Sequence, residues 1–208
     1  MRNLALLGLI LTIAGPASAA NLVVVIKDAS GQPVENAVAT LHPAGAAGPH
    51  GAIHFAWPYR MTQQDIAFHP FILIVPAGAE VQFPNKDRVR HHVYSFSEAK
   101  RFQLKLYGQD ETRSVVFDRI GVVALGCNIH DRMIAFIDVV DTPWAAKSEG
   151  GKAVIADAPA GPATLTVWHP FMKAPNGEVS RAVVVPVKGD AQETLVVQLR
   201  PAPEGKVF

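Results

Sequence analysis

The sequence predicts an all-β protein of the sandwich type. Short runs rich in Val, Ile, Leu and Phe recur at intervals of roughly ten residues. Clusters of Gly, Pro, Asp and Asn separate these runs, as expected for turns between strands. No window contains the long amphipathic stripe that is typical of a helix. These observations together indicate short strands packed in layers around apolar cores.

The predicted strands fall into three groups along the chain. The first group has two strands joined by the turn sequence ASGQP: LVVVIKD and VENAVATL. The central group has seven: FILIV, VQF, HHVYSF, FQLKLY, SVVF, GVVAL and MIAFIDVV. The last group has four: KAVIA, ATLTVW, AVVVPV and TLVVQL.

The first twenty residues have the features of a secretory signal peptide. Arg2 provides a positive n-region, residues 4–14 form an apolar h-region, and residues 17–19 match an A-x-A cleavage site. The apolar run is too short for a bilayer-spanning helix, and no later segment predicts a membrane span. We therefore expect cleavage near Ala19 or Ala20 and export to a bacterial periplasm.

The charge balance argues against a general role in binding nucleic acid or membrane surfaces. Without Arg2, the chain carries 18 basic and 18 acidic side chains. Six cations nevertheless occur within twenty residues that contain only two acids: Lys86, Arg88, Arg90, Lys100, Arg101 and Lys105. This cluster is either a solvated face or a docking patch for an acidic partner, and composition alone leaves both interpretations open.

Two stretches of altered composition predict the domain organisation. Residues 43–52 are rich in Pro and Gly, and residues 142–151 are predicted to form a second joint. The flanks are each too short to be comfortable domains alone. We therefore expect a discontinuous β-sandwich formed by residues 21–48 and 150–200. Residues 52–141 would then be a second sandwich inserted into it.

The stretch LGCNIHDRM, residues 125–133, contains the only cysteine of the chain. An unpaired cysteine in an oxidising compartment is expected to be buried, intermolecular or ligated to a metal. His130 and Met133 follow Cys127 at intervals of three residues, so one short loop presents a thiolate, an imidazole and a thioether. Soft sulfur donors combined with imidazole select copper over hard cations.

A copper site of this kind needs a second imidazole from elsewhere in the chain. The segment NKDRVRHHVYS offers His91 and His92 at the start of a predicted strand. Neighbouring residues of a strand point to opposite faces, so both are not expected to bind the same metal ion.

Two segments of the central block resemble cupredoxins, over about residues 70–140. FDRIGVVALGCNIHDRM resembles their closing segment, and its ligand spacing is similar to that of the short amicyanin loop. VPAGAEVQFPNKDRVRHHV resembles the other half of the signature, in which a histidine follows an asparagine by six residues. The resemblance implies a Greek-key β-sandwich with one type 1 copper ion. Counting from Asn85, it implies these ligands: His91, Cys127, His130 and Met133.

The resemblance also implies a function. Such a protein carries single electrons between redox partners and is not an enzyme, with His130 as the electron port and Asn85 tying the two ligand-bearing loops together. His92 departs from the family, in which asparagine is frequent at this position, and a bulge in the strand would exchange the roles of His91 and His92. Two alternatives remain: a copper-binding or copper-handling protein without electron transfer, and a non-metal β-sandwich that binds partners.

The flanking segments resemble a different class of module. VVIKDASGQPVENAVATL and GKAVIADAPAGPATLTVWHP are similar to parts of carboxypeptidase-regulatory-like or transthyretin-like sandwiches. The combination resembles exported bacterial proteins of the plastocyanin-like or methylamine-utilisation type, and it implies no methylamine chemistry. It implies architecture rather than a second active site. The oligomeric state does not follow from the sequence.

Overall fold

The structure is a computed structural model that describes residues 19–45 and 52–204. The part of the chain that it describes is all-β, as predicted, and contains only a three-residue 3-10 turn besides strands and loops. Within those residues, no helix has the length and apolarity to cross a membrane. The predicted signal peptide lies outside the described residues except for its last two positions.

Sixteen strands follow one another along the chain. The first six are β1 (Ala19–Asp28), β2 (Val38–Pro43), β3 (Thr62–Gln64), β4 (Ala67–His69), β5 (Ile72–Pro76) and β6 (Ala79–Pro84). The next five are β7 (His91–Phe96), β8 (Arg101–Tyr107), β9 (Thr112–Phe117), β10 (Gly121–Cys127) and β11 (Ile134–Val140). The last are β12 (Ala145–Lys147), β13 (Lys152–Pro159), β14 (Gly161–Trp168), β15 (Glu178–Val185) and β16 (Ala191–Val197).

The two ends of the chain share two sheets. A three-stranded sheet has the order β13-β1-β16, and a four-stranded sheet has the order β12-β2-β14-β15. Only the β1–β16 pairing in these two sheets is parallel. Alternate residues of β1, including Leu22, Val24 and Ile26, are buried in a core that both sheets line. We call this part the flanking sandwich.

The central strands form a second layered unit, which we call the central sandwich. A five-stranded sheet has the order β5-β11-β10-β7-β8, and the pairs β3-β4 and β6-β9 lie outside it. The second apolar core draws residues from both the sheet and the pairs, such as Val123 and Ile137 from the sheet and Phe83 and Phe117 from the β6-β9 pair. Cys127 and Met133 belong to this core.

A third apolar cluster joins the two sandwiches. Alternation along β11 directs Ala135 and Ile137 into the core that contains Cys127. It directs Phe136 outward, toward the flanking sandwich. Phe136 meets Phe71 and Trp168 with ring centroids 5.6 and 5.7 Å apart, respectively. The residues 145–147, which the sequence predicts to be part of a joint, instead form β12 and extend the four-stranded sheet.

Candidate metal centre

The end of β10 and the loop that follows it carry three of the four predicted ligand residues. Cys127 is the last residue of β10, and Met133 immediately precedes β11. The backbone N–H of Met133 donates to the carbonyl of His130 at 3.0 Å and closes a turn within the loop. Because β10 and β11 are antiparallel neighbours, both ends of this short loop are anchored in one sheet.

Strand β7, next to β10 in the sheet, determines which upstream histidine faces the loop. His91 is 0% exposed and points into the core, whereas His92 is half-buried and points the other way. The pairing of β7 with β8 is irregular here. His91 lies opposite Tyr107, and Val93 lies opposite Leu104. The extra residue is therefore in β8, so the alternation of β7 is intact and His91 faces Cys127.

The donor atoms of three side chains converge. The Sγ atom of Cys127 lies 3.7 Å from Nδ1 of His91 and 3.5 Å from Nδ1 of His130. The two Nδ1 atoms are 3.2 Å apart. Metal–sulfur bonds of about 2.3 Å and metal–nitrogen bonds of about 2.0 Å place donors of one ion roughly 3.3–3.7 Å apart. Within residues 19–45 and 52–204, no other group of His, Cys, Asp and Glu donors is this compact.

The environment separates an interior side of the cluster from a surface side. Cys127 is 3% exposed and Met133 is 1% exposed, and both pack in the same apolar core. His130 is half-buried, and its neighbour Ile129 is 47% exposed. The thiol is thus shielded from water, while the edge of the cluster at His130 lies near the surface.

The carboxylate of Asp87 fixes the orientation of the His91 ring at Nε2, the nitrogen that does not face Cys127. The Nε2 atom of His91 lies 2.8 Å from Oδ2 of Asp87, which leaves Nδ1 directed toward Cys127. The same carboxylate accepts hydrogen bonds from the backbone N–H groups of Asp65 and Ile66 at 2.7 and 3.1 Å. Burial lowers the pKa of His91, although the hydrogen bond to Asp87 opposes this effect. A neutral imidazole with a fixed tautomer is the form that binds a metal.

Sequence reasoning did not find this role of Asp87. The signal was present, since Asp87 stands four residues before His91 in the segment that carries the resemblance. The three-dimensional contact depends on the turn between β3 and β4, which the sequence did not predict. The (i, i+4) spacing alone does not distinguish a partner of His91 from a solvated acid.

Asn85 does not tie the two ligand-bearing loops together, which corrects the expectation from the resemblance. Its side-chain amide donates to the carbonyls of Val89 at 2.8 Å and Tyr107 at 3.2 Å, and its oxygen accepts from the N–H of Asp87 at 2.9 Å. Asn85 therefore shapes its own loop and attaches it to the end of β8. The loops themselves are joined by the N–H of Asn128, which donates to the carbonyl of His92 at 3.0 Å.

A buried polar pair lines the interior side of the cluster. The hydroxyl of Tyr107, a residue that is 1% exposed, donates to Oε1 of Gln63. The amide nitrogen of Gln63 donates in turn to the carbonyl of Met61 at 2.8 Å. Burial, and then the nearby Cys127, raise the pKa of Tyr107 far above its usual value, so the phenol is neutral. The hydrogen bonds of this wall are satisfied within the protein.

The predicted basic cluster divides into paired and exposed members. Lys86 pairs with Asp110 at 2.9 Å, and Lys100 pairs with Asp118 at 2.8 Å. Arg88 is exposed in the loop that leads to His91. The same exposure holds for three further members: Arg90, Arg101 and Lys105.

Comparisons with known proteins identify similar folds only. No family model matches the chain, and no curated protein matches it. A purple cupredoxin from Nitrosopumilus maritimus is 20% identical with a TM-score of 0.36, covering 39% of this chain and 98% of that one. A mutant of amicyanin in its Cu(I) form is 18% identical with a TM-score of 0.36, covering 39% and 80%, respectively.

A third similar structure is part of a much larger protein. The copper-containing nitrite reductase from Thermus scotoductus SA-01 is 24% identical with a TM-score of 0.38, and the match covers 57% of this chain and 28% of that one. At these identities and TM-scores, the likeness is one of fold. The chemistry of the site is therefore argued from its own donor atoms and their surroundings.

Proposed function

We propose that the chain is an exported type 1 copper protein that carries single electrons between redox partners. One copper ion would be held by Cys127, His91 and His130, with the thioether of Met133 as a fourth, weaker donor. The observation that carries this proposal is the convergence of a buried thiol and two imidazole nitrogens within 3.7 Å of one another.

The donor set fits copper better than other metals. A thiolate with two imidazoles and a distant thioether is the set found in electron-transfer copper sites. When bound, copper supplies a one-electron couple, and the metal favours the deprotonated thiolate. Harder cations such as Mg²⁺ and Ca²⁺ prefer oxygen ligands, which the cluster does not present.

The chain's own residues keep this donor set in place. Asp87 fixes the orientation and tautomer of His91, because its carboxylate is itself held by two backbone N–H groups. Anchoring of the loop by β10 and β11 limits the movement of Cys127 and His130. A site held in one geometry needs little rearrangement when an electron is gained or lost, which suits a carrier.

His130 is the proposed port for the electron, because it alone among the converging side chains lies near the surface. The apolar Ile129 and Val89, 47% and 42% exposed, lie in the two loops that meet here. Arg88 and Arg90 in the second loop would steer an acidic redox partner. We propose a carrier rather than an enzyme, since the donor set leaves no position assigned to a substrate.

Addition of one equivalent of Cu(II) to the exported protein tests the proposal. We expect an intense blue or green charge-transfer band and a reversible one-electron redox wave. A weak band or an irreversible wave would favour a copper-handling role without electron transfer. Absence of stoichiometric metal, with Cys127 open to alkylation, would leave only the non-metal binding module.

Single substitutions test the ligand choice. We expect His91→Ala to abolish the band and His92→Ala to retain it, because only the His91 ring faces Cys127. Loss of the band in the His92 variant alone would reverse the assignment. Circular dichroism of both variants serves as the folding control.

We further propose that the two sandwiches correspond to two domains, with the central one inserted into the discontinuous flanking one. The pairing of β1 with β13 and β16, and of β2 with β12 and β14, supports this organisation. Within residues 19–45 and 52–204, the flanking strands form ladder hydrogen bonds only with one another, and their core draws on both flanks, so neither flank would form this core alone.

A further inference from the structure

A cavity of about 480 Å³ lies between the flanking and central sandwiches, away from the metal centre. Strand β11 and the end of the β9–β10 connection form one wall, and strands β2, β14 and β15 form the other. Its acidic groups are Asp138, Asp141 and Glu178, and Trp168 and Val122 provide apolar surface. We call it the acidic cleft. Cavities of several hundred Å³ with few polar groups on apolar walls are typical of small-molecule sites.

Asp138 is the unusual residue of the acidic cleft. It stands in the middle of β11, paired with Val122 of β10 and Ile74 of β5, and alternation directs its side chain out of the central core into the cleft. The residue is 9% exposed. Within the described residues, its carboxyl group has no hydrogen-bond or ion-pair partner.

The groups around Asp138 do not offset the cost of burying it. Burial, and then the nearby Glu178, raise the pKa of Asp138 to about 7. The imidazole of His42 lines the same cleft, but it is bonded to Asp141 at 2.8 Å. Strands β10 and β14 contribute uncharged side chains to the lining, and Ile74 of β5, which pairs with Asp138, is also uncharged. No fully buried side-chain oxygen of the described residues lacks a partner, so the Asp138 carboxylate reaches the open space of the cleft. A largely buried carboxylate without a protein partner still weakens folding, and residues that break packing rules in this way are frequent at functional sites.

We propose that the acidic cleft is a second binding site, which takes a small organic cation with an apolar body. The cationic group of the ligand would pair with the carboxylate of Asp138, and its body would lie against Trp168 and Val122. An acid beside apolar surface is complementary to such a ligand. The ammonium group of the ligand offsets the charge of the carboxylate, and its apolar body is removed from water against the apolar wall.

A metal ion is a poorer match for this cleft. Its carboxylates and imidazole do not form a compact donor group, since among the described residues only the cluster at Cys127 brings such donors together. The volume also exceeds that of a single ion many times over. The proposal is independent of copper binding and does not involve His91, Cys127 or His130.

Isothermal titration of the full exported protein with phenethylammonium tests the proposal. We expect saturable one-to-one binding in the wild type, and weakening by about tenfold or more in the isosteric Asp138→Asn variant, since a charge-assisted contact is lost. Glu178→Gln, at the opposite wall, should weaken binding less. The control Glu80→Gln, on strand β6 outside the cleft, should bind like the wild type.

Neutral phenethyl alcohol and Ca²⁺ serve as competing probes. Equal binding of the alcohol, or equal binding of the ammonium by wild type and Asp138→Asn, would overturn the proposal, as would absence of saturable binding. Tighter binding of Ca²⁺ than of phenethylammonium would overturn the ligand class. Circular dichroism, which does not depend on copper, confirms that the Asp138→Asn variant is folded.

The pH dependence of stability gives an independent readout. The pKa of Asp138 rises from an ordinary value of 3.8 to about 7 on folding, so protonation favours the folded state. Its contribution is full below about pH 4 and is lost as the pH rises through 7. Wild type should therefore lose melting temperature between pH 5 and pH 8 relative to Asp138→Asn, and saturating phenethylammonium should restore part of that loss at pH 8. An identical pH dependence in both proteins would contradict the proposal.

Discussion

Asp87 illustrates, at the scale of single residues, how a group outside the proposed donor set can orient one of its members. The carboxylate is the hydrogen-bond partner of His91 Nε2 and also receives two backbone N–H groups from the β3–β4 turn. These bonds fix the carboxylate before any metal is present. Groups that orient ligating histidines commonly affect metal affinity by one to two orders of magnitude.

We predict that Asp87→Asn lowers copper affinity by about 10–100-fold, because the amide keeps the size of the side chain but removes the charge that holds His91. Competition with a Cu(I) chelator measures the change. Asp110→Asn is the matched control, since the Asp110 side chain forms a surface ion pair with Lys86, such pairs contribute little, and the substitution leaves the backbone hydrogen bond of Asp110 to Asn85 in place. Equal affinities of the Asp87 and Asp110 variants would contradict the positioning role.

At the scale of elements, strand β8 shows why alternation predicts part of the site and not the rest. Simple alternation in FQLKLY places Leu104 and Leu106 on one face. The bulge instead turns Leu106 outward, 47% exposed, and brings Tyr107 into the core beside Cys127. The hydrogen bond of Tyr107 to Gln63 and the burial of its ring favour this register, and both partners come from distant parts of the chain.

The β3–β4 hairpin was also beyond prediction from the sequence. Its strands have three residues each, and its two-residue loop, Asp65-Ile66, has positive φ at both positions, 56° and 54°. Such loops normally contain Asn or Gly, and a β-branched residue is unfavourable there. The Asp87 carboxylate stabilises this turn by accepting both N–H groups. By contrast, His91, Cys127 and His130 could be named as candidates from the sequence, because each lies at the start or end of a predicted strand or in the loop that follows it.

We predict that Ile66→Gly raises the free energy of unfolding by about 1 kcal/mol, because glycine adopts positive φ without the steric cost that isoleucine meets. The Ile66 side chain is 42% exposed, so little packing is lost. Chemical denaturation measures the gain. Ile66→Ala is the control: it removes the same side chain but keeps Cβ, so it should gain less. A loss of stability in the glycine variant would show that the Ile66 side chain, not its backbone, matters.

At the scale of the whole molecule, the chain brings together two cores that are far apart in sequence order. The pairing of the flanks was expected because each flank is too short to be a comfortable domain alone. In the structure, strands of both flanks share a three-stranded and a four-stranded sheet. The contact between the sandwiches was not predictable, because Phe71, Phe136 and Trp168 have no pattern that distinguishes them from core residues. That contact also creates the acidic cleft, so the proposed second site exists only in the joined molecule.

The apolar cluster between the sandwiches should hold them together as one cooperative unit. Phe136 contacts Trp168 across this boundary, packs on Phe71 of its own sandwich, and points away from the core that contains Cys127. We predict that Phe136→Ala lowers the free energy of unfolding by about 2 kcal/mol. This loss is smaller than that for removing a fully buried phenylalanine, because the Phe136 side chain is only half-buried. Calorimetry should show a broadened or divided transition, because the two cores lose their coupling.

Phe96→Ala is the matched control for this change. Phe96 is 67% exposed on β7, and its main contact is with Tyr94 at 5.1 Å between ring centroids, so its removal should cost less than about 1 kcal/mol. The copper band should be unchanged in both variants, since neither side chain reaches the donor atoms. If Phe136→Ala shifted or weakened the copper band, the flanking sandwich would support the proposed metal centre directly, rather than only pack against the outer face of the central sheet.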